Sequence, residues 1–113
     1  MKSKFILSIL CVMLSAVSMA QPLMSGHLTI FSEDGDKFYL VLNGERQNNV
    51  AQTNLRIEDL QQPYYKAKII FEDNTIAEIS KNIPVADPTS GAAMDVTYKI
   101  KKDGSGKPKL RYF

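Results

Sequence analysis

From His27 to Phe113, apolar and polar residues alternate one by one in short runs, and turn-forming residues interrupt the runs about every 8–12 positions. This alternation narrows the fold more than any other feature. Successive side chains of a strand point to opposite faces, so period two is the pattern of a half-buried strand. No long segment repeats with the 3.6-residue period of a helix. The strand-like runs are His27–Phe31, Lys37–Leu42, Thr53–Glu58, Tyr64–Glu72, Thr75–Ser80, Ala93–Lys102 and Lys107–Phe113. Gln47–Gln52 is polar and reads as a loop. Pro84, Pro88 and Gly91 make a second loop over Pro84–Ala92. The pattern implies an all-β fold, a single small antiparallel β-sandwich or open barrel of roughly seven to eight short strands.

Four turns bear on the register. Placing Leu28, Ile30, Phe38, Leu40 and Leu42 inward pairs Ile30 with Phe38 and leaves Glu33-Asp34-Gly35 as a hairpin loop, with glycine where a left-handed residue is wanted. Asn43-Gly44 favours the positive φ angles of a tight turn. A two-residue loop at Asp73-Asn74 is less consistent, because it sets Phe71 beside Ile76 but opposes Ile69 to Glu78. At the end of the chain, Ile100 pairs with Leu110 and Tyr98 with Tyr112 around Gly104-Ser105-Gly106. Lys107–Phe113 still reads as a strand where the sequence stops, which fits an edge strand or the front part of a longer protein.

The first twenty residues have a different build. Lys2 and Lys4 precede the apolar stretch Phe5–Val17, and Ser18-Met19-Ala20 puts small residues before a cut ahead of Gln21. This is the layout of a secretory signal peptide over 1–20, followed by a β-sandwich module over 21–113. The apolar stretch falls short of the ~20 residues that span a bilayer, so no transmembrane span is expected in the mature chain. Cys11 follows Leu10 in mid-stretch, where a lipoprotein cysteine would not be. The chain carries 14 basic and 12 acidic side chains. Cutting after Ala20 takes away Lys2 and Lys4, so 12 of each remain and the net charge falls to zero. That balance gives no general attraction to nucleic acid. The cut also removes the single cysteine, so the exported domain is disulfide-free and held by its core alone. The place of action is the periplasm, the outer surface or the medium.

Few residues permit catalysis. His27 is the single histidine, sits at the start of a strand and has no nucleophile motif near it. One histidine and no mature cysteine make a transition-metal site a poor expectation. Glu33-Asp34-Gly35-Asp36 is acidic enough for a calcium loop but lacks the EF-hand spacing, and tight turns use the same residues. Glu58-Asp59 and Glu72-Asp73 are carboxylate pairs at strand ends. Such pairs can run glycoside hydrolysis only across a cleft at a set separation. Gly104-Ser105-Gly106-Lys107 resembles the end of a phosphate loop, yet Lys101 and Pro108 stand where the motif needs glycine and Ser or Thr. No catalytic, cofactor-binding or metal-binding residues are assigned, and no cofactor is expected. The rival reading is a small secreted hydrolase built on carboxylates.

Three stretches carry a resemblance. Leu28–Asn48, Gln62–Asp73 and Asp95–Lys102 resemble the N-terminal region of a family of secreted bacterial proteins of unknown function. The longer members of that family continue into a separate, uncharacterised helical domain, so the resemblance implies a front module and supplies no activity to carry over. A looser likeness is to small surface modules of the PEGA type, which also run strand, turn, strand, Asn/Asp-Gly, then a strand such as Leu55-Arg56-Ile57. The Thr-Pro that PEGA modules carry after the second strand is missing here. This likeness concerns fold and transmits no function.

Two surfaces remain as binding candidates. Tyr39, Tyr64 and Tyr112 fall on or near strands and could stack on sugar rings or anchor a protein, although sandwiches more often half-bury such residues. The register of the last hairpin sets Lys99 across from Arg111 and Lys101 across from Lys109 on the outward face. Like charges directly opposite weaken a sheet by a few tenths to ~1 kcal/mol per pair. The plain reading is an edge whose lysines block strand-to-strand aggregation. The functional reading is a docking stripe for an anionic partner, an envelope protein or a polysaccharide. The expectation is an exported, non-catalytic binding or spacer module of the bacterial cell envelope, of unassigned oligomeric state.

Overall fold

The computed structural model of the chain describes residues 25–113. The leader over 1–20, its cut between Ala20 and Gln21, and Cys11 lie outside the described residues. Eight strands follow: β1 (Gly26–Ser32), β2 (Phe38–Leu42), β3 (Glu45–Arg46), β4 (Asn54–Leu60), β5 (Tyr64–Phe71), β6 (Ile79–Pro84), β7 (Asp95–Lys102) and β8 (Pro108–Tyr112). They form two four-stranded sheets, sheet A in the order β4-β1-β7-β8 and sheet B in the order β3-β2-β5-β6. The expected all-β sandwich is therefore the fold. The alternation works as read: Leu28, Ile30, Val96, Ile100 and Leu110 from sheet A meet Phe38, Leu40, Ile69, Phe71 and Ile83 from sheet B in one buried cluster. Burying a side chain of this size contributes about 1.5–3 kcal/mol.

The hairpin expected between β1 and β2 does not form. Ile30 lies opposite Leu55 of β4 and Tyr98 of β7. Phe38 lies opposite Phe71 of β5 and bridges to Gln52. Residues 33–37 instead arch from sheet A to sheet B. Either route buries the same alternate residues, so alternation cannot separate them. Contacts with a distant strand decide: Glu33 N–H donates to the Ile100 carbonyl at 2.9 Å and Lys102 N–H to Asp34 Oδ2 at 3.0 Å. Gly35 turns the arch with φ +80°, a conformation costly for other residues. β1 consequently runs parallel to β7, and sheet A is mixed rather than wholly antiparallel.

Asn43 (φ 49°) and Gly44 (φ 82°) do make the tight turn expected, joining β2 to the two-residue β3. β6 begins later than expected, with Ile79 rather than Glu78 opposite Ile69. Asp73 accounts for the delay: its carboxylate accepts the Thr75 hydroxyl at 2.6 Å and the Thr75 N–H at 3.0 Å. Thr75 is thereby held in a turn. The last hairpin matches its reading residue for residue, with Tyr98↔Tyr112, Lys99↔Arg111, Ile100↔Leu110 and Lys101↔Lys109.

The two long sides of the sandwich are finished differently. On the β3/β4 side, residues 47–53 cross from sheet B to sheet A. Phe38 N–H donates to the Gln52 carbonyl at 2.9 Å, and Ser32 N–H donates to the Thr53 carbonyl at 2.8 Å. Asn48, 7% exposed, continues the ladder with its side chain. Its Oδ1 accepts Leu40 N–H at 2.9 Å, and its Nδ2 donates to the carbonyls of Phe38 at 3.1 Å and Val50 at 2.9 Å. On the opposite side β6 and β8 lie as facing edges with a groove between them. At the base of the sandwich, Gly26 packs on the crossing from β6 to β7, where a Cβ would sit 2.7 Å from the Val85 carbonyl oxygen.

Candidate functional site

The outer face of sheet A gathers the expected basic stripe with residues that the sequence did not place beside it. Lys99 and Lys101 on β7 stand opposite Arg111 and Lys109 on β8. The arch brings Glu33 over the β7 pair: its carboxylate lies 3.4 Å from Lys99 Nζ and 3.2 Å from Lys101 Nζ. The Lys101 ammonium, with burial opposing it and Lys99 adding to it, holds the Glu33 carboxyl below its usual value. Lys102 reaches Asp36 at 3.2 Å. The acidic Glu33-Asp34-Gly35-Asp36 turn is thus the partner of β7 within the chain. Lys109 and Arg111 have no salt bridge among the described residues.

Phe113 extends the same face and is 70% exposed. Its ring meets Phe31 edge-on, centroids 5.2 Å apart, and Lys99 Nζ lies 5.6 Å from its centroid. Neither phenylalanine was singled out from the sequence. Their alternation with the apolar set, Phe31 beside Ile30 and Phe113 beside Tyr112, was the signal that they face outward. Further along the face Arg56 grips Asp95 through two hydrogen bonds of 3.1 and 2.8 Å and touches Thr29 Oγ1 at 3.0 Å. The guanidinium holds the Asp95 carboxyl below its ordinary value.

The three candidate tyrosines are not brought together. Tyr39 lies half-buried on β2 with the Arg46 guanidinium 4.2 Å above its ring. Tyr64, 53% exposed, begins β5 six residues from the Ile70 that faces Tyr39, roughly 20 Å along the strand. Tyr112 is on the other sheet, 68% exposed, its ring edge-on to buried Tyr98 at 5.5 Å. Burial, with Tyr112 adding, pushes the Tyr98 hydroxyl upward.

The β6/β8 groove measures about 350 Å³ and is lined by Glu78–Lys81 and Lys107–Leu110. Lys81 points into the sandwich from the edge strand β6 and crosses the gap. Its ammonium donates to the Leu110 carbonyl at 2.9 Å and lies 5.8 Å from the Tyr98 ring centroid.

Ser25, His27 and Asp59 do meet, at a bulge where Glu58 and Asp59 of β4 stand against the single His27 of β1 and Asp59 takes φ 59°. Their wiring is not that of a hydrolytic triad. Ser25 Oγ donates to the Asp59 carboxylate at 2.9 Å, and His27 Nδ1 accepts the Asp59 backbone N–H at 3.3 Å. The histidine satisfies the bulge, and among the described residues no hydroxyl hydrogen-bonds to it. The carboxyls displaced from ordinary values, Glu33, Asp73, Asp95 and Asp103, are all moved down, opposite to the direction a general acid needs. Among the described residues no three His, Cys, Asp or Glu side chains gather as metal ligands would. In comparisons with known proteins, no family model, no curated protein and no solved structure matches the chain.

Proposed function

We propose that this chain is an exported, non-catalytic binding module of the bacterial cell envelope, and that it engages an anionic partner through the outer face of the β7–β8 hairpin. The leader pattern supports export, and the resemblance to secreted bacterial proteins supports the envelope as its place. The observation that carries the binding surface is the pair Lys109 and Arg111. They stand directly across from Lys101 and Lys99, and Glu33, the carboxylate that forms salt bridges with the stripe, serves the β7 side. A sheet that tolerates two like-charge pairs gives up stability there, and a bound anion would offset the cost.

The test is binding of the purified chain to immobilised anionic polysaccharide across a salt series. Screening acts over ~8–10 Å near physiological salt, so affinity falls as salt rises. Replacing Lys99, Lys101, Lys109 and Arg111 with glutamine abolishes binding and leaves the fold intact by circular dichroism. A variant that binds as before, or an unchanged chain that never binds at low salt, overturns the reading and leaves edge protection as the role of the stripe.

A further inference from the structure

We propose that the free edge of β8 is a strand-addition site for an extended segment of another protein, one in which apolar residues alternate with acidic ones. This rests on the reading of the β7–β8 hairpin as the binding surface, and it names the partner and the way it docks.

The backbone supplies the first reason. Asp103 N–H bonds to the Lys107 carbonyl, and Phe113 N–H bonds to the Thr97 carbonyl, both at 2.9 Å. Hydrogen-bonded pairs alternate along an antiparallel ladder. Lys109 and Arg111 therefore turn their backbone to β7, and Pro108, Leu110 and Tyr112 turn theirs to the free edge. Pro108 has no N–H to offer. The Leu110 carbonyl holds Lys81, and a carbonyl oxygen has a second lone pair. Among the described residues, the Leu110 N–H and both backbone groups of Tyr112 remain for a new strand. The groove beside β8 gives that strand a place to lie, against Ile79 and Ser80 of β6.

The side chains specify the sequence. Positions of an added strand beside Leu110 and Tyr112 share their inward parity and would cover the Tyr112 ring, now 68% exposed. Positions beside Lys109 and Arg111 point outward. Carboxylates there would sit on the far side of these cations, as Glu33 sits on the other side of Lys99 and Lys101. Opposite charges across strands stabilise the pairing and like charges oppose it. A second copy of this chain docking β8 on β8 would set Lys109 and Arg111 against their own equivalents, so the charge pattern selects against the homodimer and for an acidic strand.

The experiment compares two peptides of the same composition at low salt by fluorescence anisotropy. One alternates valine with glutamate, and the other groups the glutamates at one end; dextran sulfate serves as a polyanion without a backbone ladder. The alternating peptide binds at least ~tenfold more tightly than the grouped one. Tyr112→Pro removes an outward N–H and abolishes this preference while dextran sulfate still binds. Lys109→Glu combined with Arg111→Glu shifts the preference to a peptide alternating valine with lysine, which keeps the test decisive where the proline variant fails to fold. Equal affinity for the two glutamate peptides, or charge-reversed protein without the shift, overturns strand addition. Retained dextran sulfate binding in that case leaves the anionic stripe standing. Loss of binding to all three probes by the unchanged chain overturns both.

Discussion

On the β3/β4 side of the sandwich, a backbone segment crosses from one sheet to the other and hydrogen-bonds both, with the buried Asn48 amide standing in for ladder residues. On the β6/β8 side a single lysine side chain makes the crossing, and a groove of about 350 Å³ stays beside it. Unpaired strand edges invite other strands, and proteins blunt them with inward charges and proline. The first side is closed by structure. The second is guarded by Lys81, Pro84 and Pro108, devices that discourage indiscriminate pairing; of the β8 edge groups, Lys81 takes the Leu110 carbonyl.

The largest effect that would break this contrast is at Asn48. Asn48→Ala leaves Leu40 N–H and the Val50 carbonyl without their partner, whereas the Phe38 carbonyl keeps the Gln52 N–H. A buried polar group left unpaired costs about 1–3 kcal/mol, so the loss is roughly 2–4 kcal/mol, a Tm drop on the order of 10 °C or more. Urea denaturation measures it. A loss under ~1 kcal/mol would mean that water replaces the amide and that this side is not closed as described.

Lys81→Met asks the converse question of the other side. The methionine keeps most of the aliphatic stem, and the lost hydrogen bond is to an edge carbonyl, so monomer stability changes by roughly 1 kcal/mol or less. Without the inward ammonium the β6 edge pairs with other copies. Sedimentation at matched concentration then gives a larger apparent mass for the variant than for the unchanged chain. Equal masses would show that Lys81 does not guard the edge.

Lowering the pH tests how firmly the arch is tied to β7. Lys101, then Lys99, lowers the Glu33 carboxyl below 4.5, its usual value. A carboxyl lowered by folding contributes stability above its unfolded value, and that contribution disappears as pH falls through the lower folded value. Asp95 and Asp103 are moved the same way from 3.8 by the Arg56 and Ser105 hydrogen bonds. The urea midpoint should hold from neutrality to about pH 5 and fall below about 4.5. Glu33→Gln should make the first part of that fall shallower, and an unchanged slope would show that the arch is held by its backbone bonds alone.

The same contrast explains what the sequence revealed. Local geometry was readable where a glycine-containing turn joined two strands of one sheet: the β7–β8 register followed from Ile100, Leu110 and the glycines between them, whereas at β5–β6 the Asp73–Thr75 hydrogen bonds lengthened a turn that reads as two residues. Where the choice of partner was distant, it was hidden. Glu33-Asp34-Gly35 reads as a hairpin loop, and Ile100 and Lys102, more than sixty residues away, make it an arch. Asn48 sits in a polar stretch with nothing to distinguish it from Asn49, because its burial comes from the path of residues 47–53 and not from its neighbours. The stripe itself was visible as a run of alternating cations. Its half-neutralisation by Glu33 was not, because Glu33 belonged to the arch that local reading misassigned.

The smallest effect separates the two columns of that stripe. Lys101 and Lys109 face each other across the ladder, so each suffers the same like-charge contact. Lys101 also has Glu33 at 3.2 Å, and Lys109 has no salt bridge among the described residues. Lys109→Gln removes that repulsion and only the weaker, more distant attraction of the Asp103 carboxylate, and should raise stability by a few tenths of a kcal/mol. Lys101→Gln removes the same repulsion and an attraction of comparable size, since exposed ion pairs are worth about 0–1 kcal/mol. Its net change should be near zero. The gap between the two variants should close in high salt, where both the repulsion and the attraction are screened. If Lys101→Gln proves the more stabilising of the pair at low salt, Glu33 is not neutralising β7, and the asymmetry that leaves Lys109 and Arg111 for a partner does not exist.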